Sequence, residues 1–211
     1  MVKIGIFGAS GMAREAGDIA QALGLEPIYI ARDEVERDAW SYSGHIILES
    51  EVDRFSVLSY VIGIGDNVAR RKVAERFYKK VRFANLIHPS ATFGREQRER
   101  LDHSVGVIVA AGARLTSSIE VGNFVILNQN VTVAHDCEVG RYVHIAPGAN
   151  VSGNVHLGVG CWVGAGAVIN QGTIGHKLTV GQGTVIGSAA VIIGDCEPNA
   201  VYVGVPAKRI K

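Results

Sequence analysis

The side chains best equipped for chemistry cluster between positions 128 and 162: Asn128, His135, Asp136, His144 and Trp162, with Gly153 among them. Histidine changes charge near neutral pH, so it can take a proton from an amine or hydroxyl as that group attacks a carbonyl. A neighbouring carboxylate can hold the imidazole in one tautomer, and a backbone N–H can stabilise the oxyanion that forms on an acyl carbon. His135 with Asp136 beside it supplies the first two parts. The third depends on the element that carries the ring.

That element is a repeat. From Val109 an aliphatic residue recurs every six positions: Val109, Leu115, Val121, Leu127, Val133, Val139, Ile145, Val151, Leu157, Val163 and Ile169. Two residues before each stands a second small or apolar residue, from Val107 and Ala113 through Cys161 and Ala167. A period of six fits neither a helix nor a single extended strand. It fits a coil of three short strands with a corner after each, and the 26 glycines suit such corners. Eighteen residues make one coil, and successive coils pair in parallel, about 4.8 Å apart. The frame breaks at Gly172–Leu178 and resumes at Ile174, Val180, Ile186 and Ile192, shifted by one residue.

Residue n then lies beneath residue n+18. His135 falls on a corner under Gly153, whose N–H can face an oxyanion in the absence of a side chain. His144 precedes inward Ile145, so it points outward beneath Trp162. His156 stacks over Glu138 and His176 falls in the frame break; both read as surface residues, and His45, His88 and His103 as structural. The successive spacings of 9, 12 and 20 between His135, His144, His156 and His176 scatter the rings over different faces. No three histidines converge, which argues against a zinc hydro-lyase and leaves no metal site.

Residues 1–90 have another character. Lys3–Phe7, Pro27–Ile30, Ser59–Ile64 and Arg82–Ile87 read as strands, alternating with helices over Met12–Leu23 and Asn67–Lys79. That alternation predicts a small Rossmann-like parallel sheet. Gly8-Ala-Ser-Gly11 joins a strand to a helix as a phosphate cradle would, with Gly8, Ser10 and Gly11 as candidate contacts. The full dinucleotide fingerprint is missing. Asp33, after the second strand, is placed to accept from a ribose or base edge. The charge run Arg95–Arg100 reads as a solvated linker over residues 91–104, ahead of the β-helix at 105–211.

Composition narrows the setting. A net charge of +1 offers nothing to nucleic acid or an anionic membrane. Three separated cysteines form no disulfide framework, and no signal-peptide pattern or spanning apolar run is present. A cytoplasmic protein is expected.

Four segments carry a closer resemblance: Gly8-Ala-Ser-Gly11, Ile64-Gly-Asp-Asn67-Val-Ala-Arg70, Ala134-His135-Asp136-Cys137 and Gly204-Val-Pro-Ala-Lys208-Arg209. Together they resemble the sialic-acid O-acetyltransferase / nucleotide-aminosugar N-acetyltransferase family. The resemblance implies a left-handed parallel β-helix, a homotrimer with sites at subunit interfaces, and acetyl-CoA as cosubstrate. It implies His135 as general base, Asp136 as its partner, and His144 and Gly153 at the thioester. Trp162 is expected beside the cosubstrate, and Lys208 and Arg209 at its phosphates. Asn67, Arg70 and Asn128 are expected at the nucleotide sugar. Met12 stands where the family often has histidine, and Asp136 where it often has glutamate. N-acetylation of a nucleotide-linked amino sugar for surface glycan synthesis is the expected outcome. O-acetylation of a sialic-acid-type sugar is the alternative, and a non-catalytic nucleotide-sugar-binding solenoid the alternative of another class.

Overall fold

Alternating apolar strands and one-sided helices assemble first into a parallel sheet. The computed structural model describes residues 2–55 and 58–211. Strands β1 (Lys3–Phe7), β2 (Glu26–Ala31), β3 (His45–Leu48), β4 (Ser59–Ile62) and β5 (Arg82–Phe83) lie in the order β3-β2-β1-β4-β5, all parallel. The order reverses at β1, so the loops after β1 and β4 diverge and leave a crevice at the carboxyl ends of the strands. Helix α1 (Gly11–Ala22) covers one side of the sheet with Met12, Ala13, Ala16, Ile19 and Ala20. Helix α2 (Glu34–Asp38) is a short turn after β2, and helix α3 (Asn67–Phe77) covers the other side through Val73, Ala74 and Phe77.

The six-residue period folds into a parallel β-helix of triangular section. One face stacks Ile108–Val109, Ile126–Leu127, His144–Ile145, Trp162–Val163 and Val185–Ile186, and ends in the hairpin Val201–Gly204 and Ala207–Arg209. The second face stacks Arg114–Leu115, Thr132–Val133, Asn150–Val151, Val168–Ile169 and Val191–Ile192. The third stacks Glu120–Val121, Glu138–Val139, Val155–Leu157 and Leu178–Val180. The inward residues of both hexad positions form one continuous core in which the thiols of Cys137, Cys161 and Cys196 are buried.

The first face docks on the N-terminal unit. Its outward Ile108, Ala110 and Ile126 are buried against the α1 side of the N-terminal unit. Burying an isoleucine side chain contributes about 1.5–3 kcal/mol, so two of them fix the unit at the lower end of that face. Higher up the same face, Trp162 is half-buried and Val185 exposed.

Three expectations need correction. Arg82–Ile87 is two strands: Arg82–Phe83 closes the sheet, while Leu86–Ile87 pairs with Ile108–Val109 as the first strand of the β-helix. Thr92–Phe93 follows under Arg114–Leu115, so the solenoid begins within the stretch expected as sheet and linker. The charge run is not a solvated loop throughout: Gln97 is fully buried, and its amide both donates to the Ile119 carbonyl and accepts from the Ile119 N–H. Those bonds replace the missing strand pairing at the open end of the coil. Third, Ile174 does not rejoin the core. It is fully exposed at the tip of a loop, and Leu157 pairs with Val180 rather than with residue 175. Five inserted residues, one short of a hexad, leave the frame displaced by one.

Candidate active site

Most corners of the coil turn through a residue with positive φ, and in the stack of His135's corner those residues are Ser118, Asp136 and Asn154. Aspartate and asparagine tolerate this left-handed backbone better than most residues. At φ 61°, Asp136 brings its carboxylate back beside the preceding side chain: His135 Nδ1 lies 2.8 Å from Asp136 Oδ2. The Nδ1–H therefore donates to the carboxylate and Nε2 keeps its lone pair. Lys177, from the inserted loop, donates to the Asp136 carbonyl and holds the corner from above. The ring remains about half exposed.

Gly153 sits directly over that ring. A Cβ there would come within 2.6 Å of both Cε1 and Nε2 of His135, so only glycine leaves the Nε2 edge in place. Ser152 and Asn154 spend their N–H groups on the carbonyls of Ile169 and His135, at 3.0 and 2.8 Å. The Gly153 N–H makes no such bond among the described residues. An imidazole lone pair and an unclaimed N–H thus share one corner, as proton removal and oxyanion stabilisation require.

His144 lies on the first face and is surrounded differently. It is 4% exposed, covered by the loop after β4, and its Nδ1 is 3.0 Å from the Gly65 carbonyl. Its Nε2 is 3.4 Å from the Asn128 amide nitrogen, and Trp162 packs against the ring at 4.2 Å between centroids. Burial pushes its pKa down to about 4 against the pull of the Gly65 carbonyl, and the Arg70 charge adds to the depression. The ring is neutral at pH 7, with Nδ1–H donating to Gly65 and Nε2 accepting from Asn128.

Two of the expected substrate contacts are committed elsewhere. Arg70 is 1% exposed, and its five N–H donors are all engaged. Nε donates to the Phe124 carbonyl at 2.9 Å, Nη1 to Ile64 and Gly65 at 2.9 and 2.8 Å, and Nη2 to Asn67 Oδ1 and the Tyr142 carbonyl at 2.7 Å each. Burial lowers its pKa to about 10, which leaves it charged. Asn67 donates to the carbonyls of Gly160 and Cys161 at 2.9 and 3.0 Å. Both residues pin α3 to the β-helix; Arg70 has no donor left for a ligand, while the half-buried Asn67 lines a cleft with Val68, Arg71 and Gln182.

The other expected contacts separate by place. Gly8 and Ser10 line a cleft of about 370 Å³ at the carboxyl ends of the strands, with Arg32, Glu36, Glu49, Asp66, Lys72 and Arg76. Gly11 opens α1 there, and Ser10 makes no side-chain cap, so the first N–H groups of that helix are free of one. Asp33 caps α2 through the Glu36 N–H and pairs with Arg32. Lys208 and Arg209 stand on the terminal hairpin, Arg209 paired with Glu197. His156 bonds Glu138 at 2.9 Å and His176 bonds Asp195 at 3.1 Å. No three His, Cys, Asp or Glu side chains gather to hold a metal, and no helix is long and apolar enough to cross a membrane, among the described residues.

The Gly65 carbonyl and the Lys177 ammonium were missed in the sequence. A backbone acceptor leaves no side-chain signature, although the Gly63-x-Gly65 spacing after a strand marks a close approach.

Comparison with known proteins places this geometry. Residues 3–77 match the PglD N-terminal domain, and residues 118–153 the bacterial transferase hexapeptide (six repeats). The chain is 27% identical over 182 residues to the GDP-perosamine N-acetyltransferase of Escherichia coli O157:H7, covering 76% of this chain and 74% of that protein. The acetyltransferase domain of PglB from Neisseria gonorrhoeae FA1090, in complex with acetyl coenzyme A, superimposes with a TM-score of 0.85. It is 28% identical, over 99% of this chain and 98% of that one. PerB from Caulobacter crescentus, in complex with CoA and GDP-perosamine, gives a TM-score of 0.86 at 24% identity over 100% and 98% of the two chains. At that identity the likeness shows the fold, a left-handed parallel β-helix behind a small parallel sheet.

Proposed function

We propose that this chain, a member of the nucleotide-aminosugar acetyltransferases built on hexapeptide repeats, transfers the acetyl group of acetyl-CoA to the amine of a nucleotide-linked amino sugar. The observation that carries the mechanism is the His135 corner, where Asp136 fixes the ring and Gly153 leaves its Nε2 edge open. His135 Nε2 takes the proton of the amine as the nitrogen attacks the thioester carbon. The Gly153 N–H holds the resulting oxyanion. Collapse restores the carbonyl, breaks the C–S bond, and returns the proton from His135 to the leaving thiolate. The products are an amide and free CoA.

The open α1 N-terminus beside Gly8, Ser10 and Gly11 suits the diphosphate, and the turn that Asp33 caps brings Arg32 and Glu36 to the same crevice for the ribose end. Asn128 and the neutral His144, buried together beneath the loop after β4, form the floor under the path from that crevice to the acyl donor. Trp162 continues it upward along the first face, toward Lys208 and Arg209 for the phosphates of CoA.

The section of the coil argues for more than one subunit. His135 stands on the corner between the second and third faces, and that corner is opposite the face that carries His144. One chain cannot bring the two rings to one substrate. A three-fold assembly can, by setting the His135 corner of one copy against the His144 face of the next. The exposed Ile174 loop beside the His135 corner would be covered in such an assembly. A cytoplasmic setting supplies both substrates.

The test is thiol release and product mass with UDP-, dTDP- and GDP-linked amino sugars and acetyl-CoA, with the hydroxyl analogues in parallel. Acetylation of an amine supports the proposal. Acetylation of hydroxyls alone would move the enzyme to the O-acetyltransferase alternative, and no turnover on any acceptor would leave the non-catalytic solenoid.

A further inference from the structure

Buried guanidinium groups usually face carboxylates, because an unpaired charge in a low-dielectric interior is costly. Arg70 faces none. Its hydrogen bonds run to one side-chain amide and to carbonyls from two regions: Ile64 and Gly65 after β4, and Phe124 and Tyr142 at the same corner of successive coils. A docking contact alone would need only the β-helix carbonyls. Two donors on one nitrogen are instead spent on the loop after β4, within the N-terminal unit itself.

Resting on the acetyl-transfer chemistry proposed above, we infer that Arg70 is a positioning residue that presets His144 through the Gly65 carbonyl. Arg70 Nη1 and His144 Nδ1 both reach that oxygen, at 2.8 and 3.0 Å, so the guanidinium fixes the acceptor on which the His144 tautomer depends. With Nδ1–H committed there, Nε2 stays bare beside Asn128 and can only accept. The positive charge of Arg70 also opposes a second proton on the ring, in the same direction as burial. A hydrogen bond to a carbonyl already polarised by a cation is weaker as an acceptor than a free one, but its position is fixed, and position decides the tautomer. The chain thus links how the N-terminal unit is docked to the protonation pattern of a ring at the acyl site.

The experiment uses the full-length protein with ¹⁵N-labelled histidine and long-range ¹⁵N–¹H correlation, assigned by loss of the signal in His144→Gln. Wild-type His144 should show a pyrrole-like Nδ1 and a pyridine-like Nε2 near neutral pH. In Arg70→Lys, which keeps the charge but lacks the fork, a second tautomer should appear. The kcat/KM for acetyl-CoA should fall on the order of tenfold, while KM for the nucleotide sugar holds. Val73→Ala loosens the packing of α3 without touching Arg70, its partners or the Gly65 carbonyl, so it should lower the melting temperature and leave the tautomer as in wild type. An Nε2–H or doubly protonated His144 in wild type would overturn the inference without any variant. So would Arg70→Lys with the wild-type tautomer, or Val73→Ala with as mixed a tautomer as Arg70→Lys. These spectra need no turnover, so an inactive protein would sink the acetyltransferase proposal while leaving this inference to be decided on its own.

Discussion

Two histidines nine residues apart on one repeat are prepared in opposite ways. His135 stands at a corner, half-exposed and bonded to the next residue in sequence, while His144 stands on a face, buried and bonded to a carbonyl 79 residues away. The hexapeptide frame offers outward positions of both kinds. What surrounds them decides which ring keeps an open Nε2 edge and which is held neutral and buried. The corner comes with its carboxylate because the left-handed turn that makes the corner also swings Asp136 toward the ring. The face gets its neutrality from a second unit laid over it.

The contrast is broken most severely at the corner. His135→Ala should lower kcat by about 10²–10⁴-fold at pH 7 with little change in affinity for acetyl-CoA. Gly153→Ala should cost on the order of 10²-fold, because the new methyl collides with Cε1 and Nε2 of the ring it must leave free. The melting temperature should change little by comparison, since the corner is open to solvent. Asp136→Asn keeps the size but not the charge and should cost about tenfold, less than loss of the ring.

At the face, the expected signature is pH-dependent stability rather than rate. The folded pKa of His144 is depressed to about 4 from 6.5, so its contribution is complete above about 6.5. It is lost as pH falls toward and through about 4, because the unfolded chain binds the proton first. The shift corresponds to about 3 kcal/mol at most, lost over that window. Chemical denaturation of wild type and His144→Gln across pH 4–7 should show a steeper acid loss in wild type. The smallest effect is expected at the terminal hairpin. Lys208→Ala should raise the apparent KM for acetyl-CoA a few-fold and leave that for the sugar unchanged; equal effects on both would make the hairpin only a cap on the last coil.

The difference between the two histidines also explains what the sequence made legible. Stacking arithmetic put Gly153 over His135 and Trp162 over His144, because one buried residue every six positions leaves no freedom in the frame. Asp136 was readable as a partner because it is adjacent. The cover over His144 was not, since a carbonyl such as that of Gly65 has the same sequence signature at every residue. The docking role of Arg70 and Asn67 was hidden for a related reason: polar residues at the start of a charged helix look like ligand contacts alone until the opposing carbonyls of Phe124, Tyr142, Gly160 and Cys161 are seen. The inserted loop was misread because five residues mimic a slip of one. The first coil escaped because a short helix with Gln97 replaces its third strand, which erases the period there.

The central claim is that His135 takes the proton from the acceptor amine, and the pH profile of His135→Ala tests it most directly. With a nucleotide-linked amino sugar, wild-type kcat should rise to a plateau as the base deprotonates. The variant should be far below it at pH 7 and should recover steadily as pH rises, because the free amine then attacks without help. A His135→Ala protein with near wild-type kcat at pH 7, or a deficit that stays constant as pH rises, would contradict the claim.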